Sequence, residues 1–329
     1  MPSLTVVVPT YRRPEDLAGL LRCLRPQIEG HATRSLIVVN DGTHDDAYAA
    51  IVRPHLTWMR YVPAPRNGGP GAARNIGAAL ATGDYLVFTD DDCRPPLGWL
   101  DRLDARYASD PWLDGVAGYT RPYEPNRKRL SDRLIEASRV LPGATHDEVG
   151  RLICAVTAAF SVRRCIYEKV GGFDESFRPS GEDLDLTQRT IKAGAIVEAD
   201  EGWWTGHTTS DTLKSYLKRY YTYGKGSARY AFARRDWLHP DLRNYLEDED
   251  ARRTVATWAR SAKTATLAEG AGPFDRLALR WFVWRVASSY AAGFMDGCDE
   301  YEDRAAPVPT EPWLRWPRLG LAADGLPRR

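Results

Sequence analysis

The chain has few cysteines, no marked excess of charge of either sign, and no apolar run long enough to cross a bilayer as a helix. Each shortage removes a class of protein. Cys23, Cys93, Cys154, Cys165 and Cys298 are five in number and contain no Cys-x-x-Cys pair, which argues against a disulfide framework and for a reducing cytoplasm. Lys and Arg total 45 against 44 Asp and Glu, a net charge of +1, whereas nucleic-acid binders carry a strong basic excess. The longest apolar stretch, Leu152 to Val162, is too short for a membrane helix of about 20 residues. The Trp- and Phe-rich segment Leu277–Met295 is interrupted by Arg280 and Arg285 and reads as a packed amphipathic helix. No basic leader precedes the strand-like run Leu4–Val8, so a secretory signal is not expected and the location reads as cytoplasmic. Two nucleotide fingerprints are also missing. The Gly-rich loop has no Gly-Lys-Ser/Thr, and no dinucleotide glycine motif follows the first strand, which disfavours P-loop and nicotinamide enzymes.

With 329 residues, 43% of them hydrophobic, the chain can bury one large core and carry a smaller addition. Its N-terminal half alternates strand and helix patterns. Leu4–Val8, Leu36–Val39, Trp58–Val62 and Tyr85–Phe88 read as strands. Pro14 opens a helix with Leu17, Leu20, Leu21 and Leu24 on one face, further helices fall near 45–52, 70–81 and 97–107, and Gly83 closes the third. Continuous apolar strands between helices predict an α/β fold, a mostly parallel Rossmann-like sheet with helices on both faces. A helical piece is expected near Asp132–Val140, regular structure at Leu152–Val162, a helix after Gly181 and a strand at Ala195–Ala199. From Asp211 the chain reads helical, basic and aromatic, which divides it into a catalytic domain, 1–210, and a mainly helical region, 211–329, with a loosely ordered tail after Ala305.

In such sheets ligands bind beyond the carboxyl ends of the strands. The polar residues there are Thr10-Tyr11-Arg12, Asp41 and Asp90-Asp91-Asp92. Three adjacent carboxylates repel one another, and a site that keeps them ionised supplies a cation; oxygen ligands suit Mg²⁺ or Mn²⁺. An extended chain would send Asp90 and Asp92 to one side and Asp91 to the other. The loop Arg66–Asn75, with Gly71 and Arg74, runs into a helix whose first N–H groups could receive a phosphate. Glu182 and Asp183 open another helix, where acidic residues also suit the helix dipole; facing the metal site, Asp183 could accept a proton from an incoming hydroxyl. His207 follows the last strand of the domain, where a structural hydrogen bond competes with metal ligation. Tyr223–Arg229 could form a lid flexing at Gly224 and Gly226, with Lys225 approaching a diphosphate. Trp203 and Trp204 could stack on a sugar or pack in the core.

Six segments in order resemble family 2 glycosyltransferases, inverting enzymes of the GT-A fold. They are Val6–Arg12, Val38–Gly42, Arg66–Gly77, Tyr85–Asp92, Val170–Phe177 and Gly181–Leu186, and the match covers residues 3 to 208. The resemblance implies a nucleotide pocket at Pro9, Thr10, Arg12 and Asp41, with Gly71 and Arg74 near the phosphates. Asp90 to Asp92 resemble the family's DxD motif: Asp92 would ligate the ion, with Asp90 and Asp91 near the ribose or the ion. Asp183 would be the base, Glu182 would position the acceptor, and His207 would complete the metal site with Asp92 and Asp90. The implied co-substrate is a nucleotide-diphosphate sugar, UDP by family analogy, and the implied reaction is a single in-line displacement. Thr157–Ser161 departs from the Asn-containing stretch of many members. The chain lacks the membrane helices and Gln-x-x-Arg-Trp motif of processive synthases, which favours transfer to a discrete acceptor: a small natural product, glycan, lipid or peptide. Peripheral membrane contact and a homodimer are both compatible with this sequence. A sugar-1-phosphate nucleotidyltransferase would place its Gly-rich loop directly after the first strand, where Pro9–Arg13 stands instead. A non-catalytic sugar-nucleotide binder would not need Asp92, Asp183 and His207.

Overall fold

A computed structural model describes residues 2–43, 46–123, 143–146, 150–178, 180–208, 212–234 and 273–302. The helical piece expected at 132–140 and the tail after 305 lie outside them. In chain order come β1 (Leu4–Thr10), α1 (Pro14–Ile28), β2 (Arg34–Asn40), α2 (Asp46–Val52), β3 (Arg60–Pro63), α3 (Pro70–Ala79) and β4 (Tyr85–Phe88). Then follow β5 (Cys93–Arg94), α4 (Trp99–Ser109), β6 (Gly115–Pro122), β7 (Thr145–His146), β8 (Leu152–Cys154), β9 (Phe160–Arg163) and α5 (Arg164–Lys169). The last described elements are α6 (Glu182–Lys192), β10 (Val197–His207), α7 (Leu213–Ala233) and α8 (Pro273–Glu302).

Eight strands form one sheet in the order β3-β2-β1-β4-β9-β6-β10-β5. The four strands β3, β2, β1 and β4 are parallel. β9 runs antiparallel between β4 and β6, β10 lies parallel to β6, and β5 closes the edge antiparallel to β10. All seven residues of β1 are buried, because both faces of the sheet are covered. Val6 and Val8 enter one core with Leu17, Leu20, Leu21 and Leu24 of α1 and with Trp99 and Trp203. Val7 enters the opposite core with Phe88, Phe160, Tyr167, Phe173 and Leu186. Alternate side chains of a strand point to opposite faces, so one short run serves two cores. Gly77 lets α3 sit directly on β1, since a Cβ there would overlap Val7 Cγ1.

Two segments differ from expectation. Leu152–Val162 is broken by a 3₁₀ turn at Thr157–Ala159 into β8 and β9. The strand expected at 195–199 is instead β10, which continues to His207 through an irregularity between Ala199 and Trp204. Trp203 is wholly buried, stacks on Trp99 at 4.9 Å between ring centroids, and donates its indole N–H to the Trp99 carbonyl at 3.1 Å. It belongs to the core and offers no face to a sugar.

Candidate active site

The carboxyl ends of β1, β2 and β4 carry Thr10, Asp41 and the three aspartates to one edge, as parallel strands with buried faces require. β10 brings His207 there from the far half of the sheet, because β5 pairs Cys93 directly with His207. Thr208 adds a second tie, its N–H donating to the Asp92 carbonyl at 2.9 Å.

The aspartate triplet is not extended. The Cys93 N–H donates to the Asp90 carbonyl at 3.0 Å and closes a turn over Asp91 and Asp92. Asp91 and Asp92 share Arg13 and Asp90 pairs with Arg74, yet Asp90 and Asp92 keep carboxylate oxygens within 4.8 Å of each other, as the alternation expects. Asp91 accepts from Thr10 Oγ1 at 2.8 Å, and Arg13 Nη1 lies 2.7 Å from Asp92 Oδ2 and 3.4 Å from Asp91 Oδ1. Burial, then the adjacent Asp92, pushes the Asp91 carboxyl up to about 7.

Asp90 turns to Arg74. Arg74 Nη2 donates to Asp90 Oδ1 at 2.6 Å and Nη1 reaches Glu182 Oε1 at 3.4 Å, with the Arg74 side chain only 3% exposed. Burial opposes its charge, but Asp90 and Glu182 more than offset that and hold the guanidinium protonated. Arg74 thereby joins the turn after β4 to the first residues of α6. Gly181, at φ 97°, caps that helix in a left-handed conformation that suits glycine, and so orients Glu182 and Asp183 inward. Burial, with Asp183 beside it, pushes Glu182 up to about 7. Burial also raises Asp183, while a hydrogen bond from the Leu184 N–H to Asp183 Oδ1 at 2.9 Å opposes the rise.

Asp92 Oδ1 is buried and accepts no hydrogen bond, and His207 Nε2 stands 3.3 Å from it. Among the described residues, Asp90, Asp92 and Cys93 are grouped with ligand atoms within 4.8 Å of one another. The Cys93 Sγ lies wholly buried, 4.0 Å from the Ala158 carbonyl, and burial pushes its thiol well up, so it serves the core. Two carboxylates and an imidazole, one oxygen left orphaned, are a donor set that fits a hard divalent cation.

Several expected site residues are placed differently. Both Asp41 oxygens accept backbone N–H groups, from Gly68 at 2.7 Å and Gly69 at 2.8 Å, so this carboxylate shapes the Gly-rich loop. Gly71 packs α3 against Phe173, whose Cβ would lie 3.4 Å from an added Cβ. Arg12 has φ 55° and is exposed, its guanidinium over the Tyr11 ring. Lys225 is paired with Glu300 of α8. Gly224 and Gly226 lie inside one continuous helix, where a Cβ would overlap the Tyr290 carbonyl or Ser180 Oγ. They are close-packing positions and not hinges.

Arg13 escaped the sequence reading as a site residue, and so did the surroundings of Tyr223 and Arg219. Arg13 follows Arg12 and is of the same type; the fold sets Arg13 against the aspartates and Arg12 over the Tyr11 ring. Tyr223 and Arg219 lie one helical turn apart on the face of α7 that meets α6, where Ser180 Oγ donates to the Thr222 carbonyl at 2.7 Å. Burial pushes the Tyr223 phenol up, Arg219 opposes this, and Asp183, Asp90 and Glu182 add to it. The regular 3–4 residue spacing could have flagged this face, but not what it faces.

Residues 5–171 match the family model described as glycosyl transferase family 2. The pre-mycofactocin glycosyltransferase of Mycobacterium tuberculosis is 31% identical over 250 residues, covering 73% of this chain and 48% of its own. The chain thus spans about half the length of that relative. Glycosyltransferase AglE of Haloferax volcanii is 26% identical over 298 residues, covering 83% of this chain and 95% of its own. Among solved structures, the mannosyltransferase PcManGT of Pyrobaculum calidifontis, in complex with GDP-Man and Mn²⁺, superposes with a TM-score of 0.58 at 18% identity, covering 93% of this chain and 88% of that one. S. aureus TarS gives 0.51 at 16% identity, covering 92% of each. At such identities the likeness is one of fold, and the fold is GT-A.

Proposed function

The chain belongs to glycosyl transferase family 2 and is a glycosyltransferase, and we propose that it moves a sugar from a nucleotide-diphosphate donor to an acceptor hydroxyl in a single, inverting, metal-dependent step. The observation that carries this reading is the orphaned Asp92 Oδ1 beside His207, set in one network with Asp90, Arg74 and Glu182. Asp90, Asp92 and His207 would hold the ion, which when bound neutralises the donor diphosphate.

Asp183 accepts the proton of the acceptor hydroxyl as that oxygen bonds to the anomeric carbon. The bond from that carbon to the diphosphate oxygen breaks, and its electron pair leaves with the nucleoside diphosphate. One displacement inverts the anomeric centre. The raised Asp183 carboxyl is a stronger base than an exposed aspartate, as general-base catalysis near neutrality requires. Arg74 keeps Asp90 and Glu182 in register and shields Asp183 from the aspartate turn. The Asp41-braced loop and the first turn of α3 would receive the nucleotide end of the donor.

We take UDP-sugars as the first donors to assay; the GDP-Man bound by the archaeal mannosyltransferase makes GDP-sugars the second series. With Mn²⁺ present, the protein is expected to release nucleoside diphosphate from one of these series, and Asp92→Ala to abolish release. Release that survives equally in Asp92→Ala, or in excess chelator, would overturn the metal-dependent reading.

A further inference from the structure

The carboxylates that would hold the ion already hold a cation of the chain's own. Arg13 Nη1 sits 2.7 Å from Asp92 Oδ2 and 3.4 Å from Asp91 Oδ1. The Arg13 side chain is 50% exposed, against 12% for that of Asp92. Its backbone is fixed: the Arg13 N–H donates to Tyr48 OH at 2.8 Å, and the same hydroxyl pairs with Thr10 Oγ1 at 2.9 Å. The backbone is anchored and the side chain is half exposed. Arg74, the other arginine of the site, is buried between Asp90 and Glu182 and has no such freedom.

A divalent ion on Asp92 would stand against the Arg13 guanidinium, and two cations competing for one carboxylate repel strongly where water is scarce. The displaced guanidinium would remain at the mouth of the site, where a diphosphate brings the oxygens that an arginine fork binds best. Resting on the metal and donor reading above, we propose that Arg13 is an internal counter-ion. It neutralises Asp91 and Asp92 in the empty site, yields Asp92 to the divalent ion, and transfers to the donor diphosphate. Ion alone must then displace Arg13 without recompense, whereas ion and donor together give it a new partner. Each ligand therefore tightens the other, by one reciprocal factor.

The test is Mn²⁺ binding, read as the free-ion signal in electron paramagnetic resonance, with and without UDP and, separately, GDP. Wild type, Arg13→Gln, Arg13→Lys and Asp92→Asn are compared. Without nucleotide, Arg13→Gln is expected to bind Mn²⁺ about tenfold more tightly than wild type, a factor worth ~1.4 kcal/mol. Arg13→Lys, which keeps the charge but not the fork, should fall between. The factor by which nucleotide tightens Mn²⁺ should be smaller in Arg13→Gln than in wild type. If Arg13→Gln does not fold, Arg13→Lys carries the comparison alone. Equal or weaker Mn²⁺ binding in the Arg13 variants, or an unchanged nucleotide factor, overturns the proposal and leaves the metal site standing. If wild type and Asp92→Asn bind Mn²⁺ alike even with nucleotide, the metal reading falls and takes this proposal with it.

Discussion

Asp183 and Glu182 are neighbours in sequence, both half-buried at the start of α6, and both raised above their ordinary values chiefly by desolvation. Asp183→Asn keeps shape and removes basicity. We expect it to lower kcat by about 10²- to 10⁴-fold while leaving nucleotide affinity, measured calorimetrically, within about twofold. In the wild type, kcat should climb with pH through a limb above the usual aspartate value of 3.8. Glu182 supplies a second, independent signature. Its folded value of about 7 exceeds its ordinary 4.5, so its contribution to stability is complete below the ordinary value and lost as pH rises through about 7. Denaturation of the metal-free protein should therefore become easier between about pH 4.5 and 7, and Glu182→Gln should flatten that slope. A slope unchanged in Glu182→Gln would show that burial does not hold this proton.

Among the elements, α6 is held from behind by a buried ionic network. Asp185 is 0% exposed, accepts from Arg189 within its own helix at 2.6 Å, and accepts from Arg234 at the end of α7 at 2.7 Å. Arg234 also reaches Asp174 at 3.1 Å, so the Gly-Gly-Phe-Asp turn, α6 and α7 meet at one guanidinium. Asp185→Ala removes the buried carboxylate that Arg189 and Arg234 share and should cost about 3–5 kcal/mol in denaturant unfolding. A loss below about 1 kcal/mol would place the network among the weak surface pairs. The crossing of α7 and α8 depends on glycine for a different reason. A Cβ at Gly293 would overlap the Tyr221 carbonyl, so Gly293→Leu should part the helices and lower the melting temperature; about 1–3 kcal/mol is typical of overpacking.

For the whole molecule, β10 ends at His207 and α7 begins at Leu213, on either side of the domain boundary we propose near residue 210. The division is not independence, since Arg234 and the face of α7 around Thr222 close over the start of α6. A chain ending at residue 210 should melt below the full chain and gain less from added nucleotide with Mn²⁺, whose stabilisation follows from mass action on the folded state. Equal melting and equal gain would make α7 dispensable to the site.

The strands that lead to the site were legible because β1, β2 and β4 are short apolar runs closed by turn residues, and burial on both faces permits no other reading. β6 and the long course of β10 were not, since Gly115–Pro122 and the Asp-Glu-Gly stretch before Trp203 lack that pattern, and these strands take their order from their neighbours in the sheet. The sequence by itself determined which acids and which histidine stand at strand ends, and the order of segments that marks the family. Only the tertiary structure decided their directions. Arg74 took Asp90, Arg13 took Asp91 and Asp92, and Glu300 claimed Lys225. The physical reason is range: apolar periodicity is written in neighbouring residues, whereas the partner of a charge is set by whatever the fold brings within a few ångströms of it.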